Sequence, residues 1–170
     1  MKKYLIWCAL WILYLPVYGQ TATNPCQTGS HTVIQPFLGE WEEYSIEKGI
    51  KTFIGKLTSQ LDVADCMLTQ TFSTPDSTFS YRSQGFVNPT SGIWEETYVF
   101  NSGRYAKYQW IVNGDVLYTL RVESSRKSER MHRLLYTDVK QDEYMVIQQG
   151  STDGGRNWVS KDSTRIRRIQ

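Results

Sequence analysis

The sequence predicts an all-β protein, an antiparallel up-and-down β-barrel of about ten strands with a short N-terminal helical turn. Segments rich in Val, Ile, Thr, Tyr, Phe and Trp recur about every ten residues from position 40 to 168, each closed by Gly, Asn, Asp, Pro or Ser. No segment keeps a helical apolar period long enough for a crossover helix, so parallel strands have nothing to connect them. The chain has 170 residues, 40% hydrophobic and 14% aromatic, which supports one core, excludes disorder, and is too short for a multi-blade or multi-domain enzyme. With no helix to cover its faces, the sheet must close on itself or stack on a second sheet. An up-and-down barrel whose interior can hold a small ligand is the simpler solution, and a two-sheet sandwich is the alternative.

Lys2 and Lys3 precede an apolar run from Tyr4 to Tyr18, and Val17, Tyr18 and Gly19 suit a cleavage site, so residues 1–19 read as a secretory signal peptide. The run is shorter than the roughly 20 residues that span a bilayer as a helix, and Pro16 interrupts it. Cys8, inside the run, leaves with the signal. The formal net charge of +2 comes from Lys2 and Lys3 alone. A neutral remainder argues against nucleic acid as a partner and against stable membrane insertion after cleavage. The expected location is secreted or periplasmic. There Cys26 and Cys66 form an even pair, and the expected disulfide closes a loop of about 40 residues, worth roughly 2–4 kcal/mol on the chain-entropy model. His31 and His132 lie far apart with no neighbouring ligand candidates, so no metal and no cofactor is expected. For the same reason an axial haem ligand at His132 has no supporting signature.

Residues 20–36 read as a linker followed by a short helical turn, and residues 37–170 as a single barrel domain. In Leu38-Gly39-Glu40-Trp41, Gly39 lets the chain bend into the barrel floor and Trp41 plugs that end. Strands are expected near 40–46, 51–62, 66–74, 78–87, 92–100, 104–112, 115–124, 129–138, 142–150 and 156–168. Asn101-Ser102-Gly103, Asn113-Gly114-Asp115 and Asp153-Gly154-Gly155 are hairpin turns. The charged stretch 124–130 reads as a solvated hairpin end.

Trp94, Glu96 and Tyr98 share one face by the period-two rule, and Tyr108 shares a face with Trp110. These five are the candidate ligand-binding residues. Adjacent Glu95 and Glu96 point apart, as do Glu42 and Glu43, so neither pair is set for glycosidase acid/base work. An inward Glu96 needs a donor such as Arg82, Arg121 or Arg133. Ser151, Asp153, Gly155 and Trp158 fit the S-x-D-x-G-x-x-W pattern of the Asp-box hairpin, a turn device whose side chains bond the turn backbone.

Phe37-Leu38-Gly39-Glu40-Trp41, Asp65-Cys66-Met67-Leu68, the stretch from Gly92 to Val99 with Gly103, and the SxDGGxxW turn occur in an order that resembles a family of exported bacterial proteins of unknown function. The resemblance spans about Phe37 to Arg168. It implies a lipocalin-like or calycin-like barrel in the bacterial envelope and fixes no reaction or ligand. Where that family tends to have Asp, Thr and a C-terminal Tyr, this chain has Phe100, Asn157 and Ile166, and Met145-Val146-Ile147 replaces a more polar stretch. The resemblance therefore implies a more apolar pocket in this chain.

With no nucleophile, base and orienter set, no catalytic residue is assigned. The leading expectation is a barrel that binds a small, largely apolar or aromatic molecule without turnover. A hydrolase or isomerase using Glu96 is one alternative, and an envelope protein-interaction module with a filled barrel is another.

Overall fold

The structure is a computed structural model, and it describes Cys26, residues 29–122 and residues 130–170. The expected signal peptide, residues 20–25, 27 and 28 of the expected linker, and residues 124–129 of the charged stretch lie outside the described residues.

Ten strands follow in order: β1 Gly39–Glu47, β2 Ile50–Asp62, β3 Met67–Ser73, β4 Ser80–Val87, β5 Trp94–Phe100, β6 Tyr105–Asn113, β7 Val116–Arg121, β8 Met131–Thr137, β9 Glu143–Ser151 and β10 Val159–Arg168. Each pairs antiparallel with its sequence neighbour, and β1 pairs with β10 to close the barrel. The chain is thus the expected up-and-down barrel and not the sandwich. The last expected strand starts later, at Val159, because Arg156, Asn157 and Trp158 belong to the preceding turn.

Closure removes every sheet edge and divides each strand strictly into an inner and an outer face. In β5, Trp94, Glu96 and Tyr98 are buried, whereas Val99 on the other parity is exposed. The register slips once between β1 and β2: Glu43 opposes Gly55, but Tyr44 opposes Phe53. This bulge leaves Tyr44 and Phe53 together at 5.6 Å, with the Lys51 ammonium 3.7 Å from the Tyr44 ring.

A 3₁₀ segment, Gly29–Phe37, covers one end of the barrel. It buries Ile34 and Phe37 against Trp41, Leu68, Trp94 and Trp110 of the core. Trp41 is fully buried and donates its indole N–H to the Phe37 carbonyl at 3.0 Å. Arg168 lies over the Trp41 ring at 4.0 Å and donates from Nη1 to the Leu38 carbonyl at 2.7 Å. Gly39, with φ +123°, passes where the Arg168 guanidinium occupies the space of a Cβ, so any side chain there would be excluded twice, by conformation and by collision.

Cys26 and Cys66 form the disulfide, 40 residues apart. Cys66 belongs to the β2–β3 turn rather than to a strand. Val63, Ala64 and Asp65 of that turn all adopt positive φ, and the Cys66 amide donates to the Val63 carbonyl at 3.2 Å. A bonded pair accords with an oxidising compartment. Among the described residues no helix is long and apolar enough to cross a membrane.

Two stability outcomes follow. Replacing both Cys26 and Cys66 with Ser lowers unfolding stability by about 2–4 kcal/mol in urea titrations while the native circular dichroism persists, because Cys26 lies outside the ten-strand ring. Trp41→Ala costs about 3–5 kcal/mol by the same measurement, since it empties the closed end and orphans the Phe37 carbonyl.

Candidate functional site

Away from the plugged end the barrel interior is open, forming a cavity of about 340 Å³. Nine of its eighteen lining residues are aromatic: Phe37, Phe79, Tyr81, Tyr98, Phe100, Tyr108, Trp110, Tyr136 and Tyr144. They come from five strands, the 3₁₀ segment and the turn before β4, because inward positions recur every second residue around the ring. The rings brace one another, with Trp110 stacked on Tyr136 at 5.1 Å, and Tyr98 touching Tyr81 at 5.2 Å and Tyr108 at 5.3 Å. Leu57, Leu134, Val146 and Ile166 fill between them, and the remaining lining is Glu43, Gln70, Gln148, Asp162 and Thr164. Among the described residues no Lys, Arg or His lines the cavity.

All five expected ligand-binding residues belong to inward-facing positions, but the structure separates them. Tyr98, Tyr108 and Trp110 line the cavity. Trp94 and Glu96 lie behind its wall, toward the plugged end. Trp94 meets the His31 ring edge-on at 5.4 Å. Its indole lies against Gly85 of β4, where a Cβ would stand 2.8 Å from the indole nitrogen. Gly85 carries no sequence signal of this role, since it reads as an ordinary strand glycine; the requirement appears only when β4 and β5 are paired.

Glu96 is 1% exposed. Ser83 donates to one carboxyl oxygen at 2.5 Å, and the Trp110 indole N–H donates to the other at 2.9 Å. These are the donors in place of Arg82, Arg121 and Arg133. Arg133 instead lies over the Trp158 ring at 4.2 Å and donates to Gln149 at 2.7 Å. Behind Glu96 the polar chain continues, with Tyr98 donating to Gln70 at 3.4 Å and Gln70 donating to Ser59 at 3.0 Å. Burial pushes the Glu96 carboxyl up, opposed by the hydrogen bonds from Ser83, Trp110 and Tyr98. Each oxygen accepts a hydrogen bond, so Glu96 fixes the rotamer of Trp110 and thereby the cavity wall.

The group that sequence reasoning missed is Glu43. The opposed pointing of Glu42 and Glu43 holds: Glu42 accepts from the Tyr44 hydroxyl at 2.6 Å, whereas Glu43 lines the cavity. Among the described residues no hydrogen bond or ion pair engages the Glu43 side chain. Its accessible surface is intermediate, because it borders an open cavity. The protein packed around it is that of a buried group, and this desolvation pushes its carboxyl up to about 7. A signal was present, since Glu43 shares parity with Trp41: if Trp41 plugs the interior, Glu43 faces the same interior.

The Asp-box residues make a self-contained turn on the β9–β10 hairpin. Ser151 donates to Asp153 at 2.7 Å and accepts from the Gly155 amide at 2.9 Å, while Asp153 accepts from the Asn157 amide at 3.0 Å. That amide, with the Ser151 hydroxyl and the Asn157 side chain, holds the Asp153 carboxyl down at about 2. Gly155 has φ +86°, and Trp158 packs beside it. None of these residues lines the cavity. Among the described residues no group of three His, Cys, Asp or Glu is placed to hold a metal.

Glu43 generates a pH-dependent stability outcome. Its folded pKa is raised above the unfolded value near 4.3, so the fold holds the protonated form better; that contribution is complete below pH 4 and is lost as pH rises toward 7. Glu43→Gln is therefore expected to stabilise the protein by about 1–3 kcal/mol at pH 8 and to be close to neutral at pH 4 in paired urea titrations.

No protein-family model and no curated protein matches the chain, so the cavity and the residues around it carry the functional argument.

Proposed function

We propose that this protein is a binding barrel, secreted or periplasmic, that takes a small, largely apolar or aromatic molecule into its cavity and releases it unchanged. The observation that carries the reading is the cavity itself: about 340 Å³, with nine aromatic and four aliphatic residues among its eighteen lining residues and five polar ones set between them. That volume lies at the lower end of the usual range for small-molecule sites, and an apolar lining with a few placed polar groups is their common composition. The resemblance to exported bacterial barrels supports the location and the architecture. Glu96 serves as a positioning residue, because it holds Trp110 and Tyr98 from behind the wall. That placement weighs against the hydrolase or isomerase alternative, and the open cavity weighs against an interaction module with a filled interior.

The test is a titration with the neutral aromatic reporter N-phenyl-1-naphthylamine. Saturable reporter fluorescence is expected, with quenching of tryptophan emission to which Trp110, which lines the cavity, contributes. Val146→Trp, which fills the cavity from β9, should weaken reporter binding about tenfold or more while leaving the fold intact by circular dichroism. Absence of saturable binding, or full affinity in Val146→Trp, would overturn the reading.

A further inference from the structure

An apolar aromatic molecule accounts for the rings of the cavity but leaves its carboxylates without a purpose. Glu43 is placed inward by β1, with Gly55 of β2 and Ile166 of β10 as its strand neighbours. Neither neighbour carries a polar side chain. Asp162, on the same inner face of β10 but nearer the open end, is the second carboxylate of the lining. The basic residues of β10 form no ion pair with either carboxylate among the described residues: Arg165 and Arg167 point outward to Glu143 at 3.6 and 3.7 Å, Arg168 is held by Leu38 and Trp41 at the closed end, and the Lys161 side chain lies over Gly150 of β9. A carboxyl withdrawn from water without a donor is costly to the fold, and Gln or Leu in its place would remove the cost. A cavity that keeps such a group, walls it with ring faces and, among the described residues, has no cation in its lining is suited to a cation brought in from outside.

We infer that the molecule bound in this cavity is an organic amine, an apolar or aromatic body bearing one protonated nitrogen, with the ammonium set against the Glu43 carboxylate. The inference rests on the binding reading and names its ligand class. Tyrosine faces attract cations as well as apolar bodies, so the same rings serve both halves of the ligand. Asp162 adds a negative potential nearer the open end, which draws a cation inward and turns an anion away. The groups that face Glu43 are Tyr81 of β4, Tyr136 of β8, Tyr144 of β9 and Asp162 of β10, with Glu96 of β5 behind the wall; each tyrosine hydroxyl is pushed up, by burial first and then by carboxylates that include Glu43. None of these groups is a cation, so an arriving ammonium is the partner that ionises Glu43. Amine affinity therefore rises with pH through the range where free Glu43 loses its proton.

Competition against bound N-phenyl-1-naphthylamine tests this with three ligands of matched size: 2-phenylethylamine, 2-phenylethanol and 3-phenylpropionate. At about pH 8 the amine should displace the reporter at about tenfold lower concentration than the alcohol, with the carboxylate weakest. In Glu43→Gln the amine-to-alcohol ratio should fall to within about threefold. In the unaltered protein the ratio should fall likewise at about pH 5.5, where the amine is still protonated but Glu43 is not ionised. The pH comparison needs no variant, so it decides the matter even where the substitution disturbs folding. Equal displacement by amine and alcohol at pH 8, or an amine preference that survives both Glu43→Gln and acid pH, would overturn the inference. If the reporter binds but shows no amine preference, the ligand class alone is wrong. If the reporter itself fails to bind, the binding reading falls and the ligand class falls with it.

Discussion

Closure of β1 onto β10 is the constraint on which everything else in this molecule depends. Trp41 to Ser45 pair with Arg168 to Thr164, joining the two ends of the barrel domain across more than a hundred residues. Without that seam the sheet would have two free edges and its inner face would have no defined interior. The seam is reinforced at the plugged end, where Arg168 bonds the Leu38 carbonyl and covers Trp41, and the Ile169 amide donates to Glu40 at 2.9 Å. Once the ring is closed, each inward residue is committed to a shared space whose contents no single strand determines.

Two carboxylates in that space show opposite solutions to burial. Glu96 is paired with two donors, and its hydrogen bonds immobilise the wall. Among the described residues Glu43 meets no donor at the cavity surface, and desolvation pushes its carboxyl up to about 7. The first arrangement spends the carboxyl on rigidity. The second leaves a carboxyl whose ionisation costs stability, which is the relation between fold and site that the proposed binding role requires. Mutually braced aromatic walls leave little side-chain ordering for the proposed ligand to impose.

The plugged end has the opposite character. Phe37 contacts Trp110, Tyr136 and Tyr144 at 5.0–5.5 Å, so the cap over the barrel floor is also part of the cavity wall. The disulfide adds a covalent tie from Cys26, near the 3₁₀ segment, to the β2–β3 turn. Stability of the cap and shape of the cavity are therefore coupled through the Phe37 ring, and loosening one softens the other.

By itself the sequence determined the number of strands to about ten, the turns, the antiparallel order, the disulfide and the common facing of Trp94, Glu96 and Tyr98. Each follows from local rules: period-two alternation, turn residues that tolerate positive φ, and a lone pair of cysteines outside the expected signal. The tertiary structure alone decided which of those residues meet the cavity. Tyr98, Tyr108 and Trp110 do so, while Trp94 and Glu96 are sealed behind, because depth along the barrel axis depends on register between strands that parity does not encode. It also decided that Ser83 and Trp110, rather than an arginine, satisfy Glu96, and that Gly85 must lack a side chain for Trp94 to lie flat. Glu43 lies between the two cases. Its parity with Trp41 was legible, but the absence of any donor around it is a property of nine other strands, and only the closed ring brings them to face it.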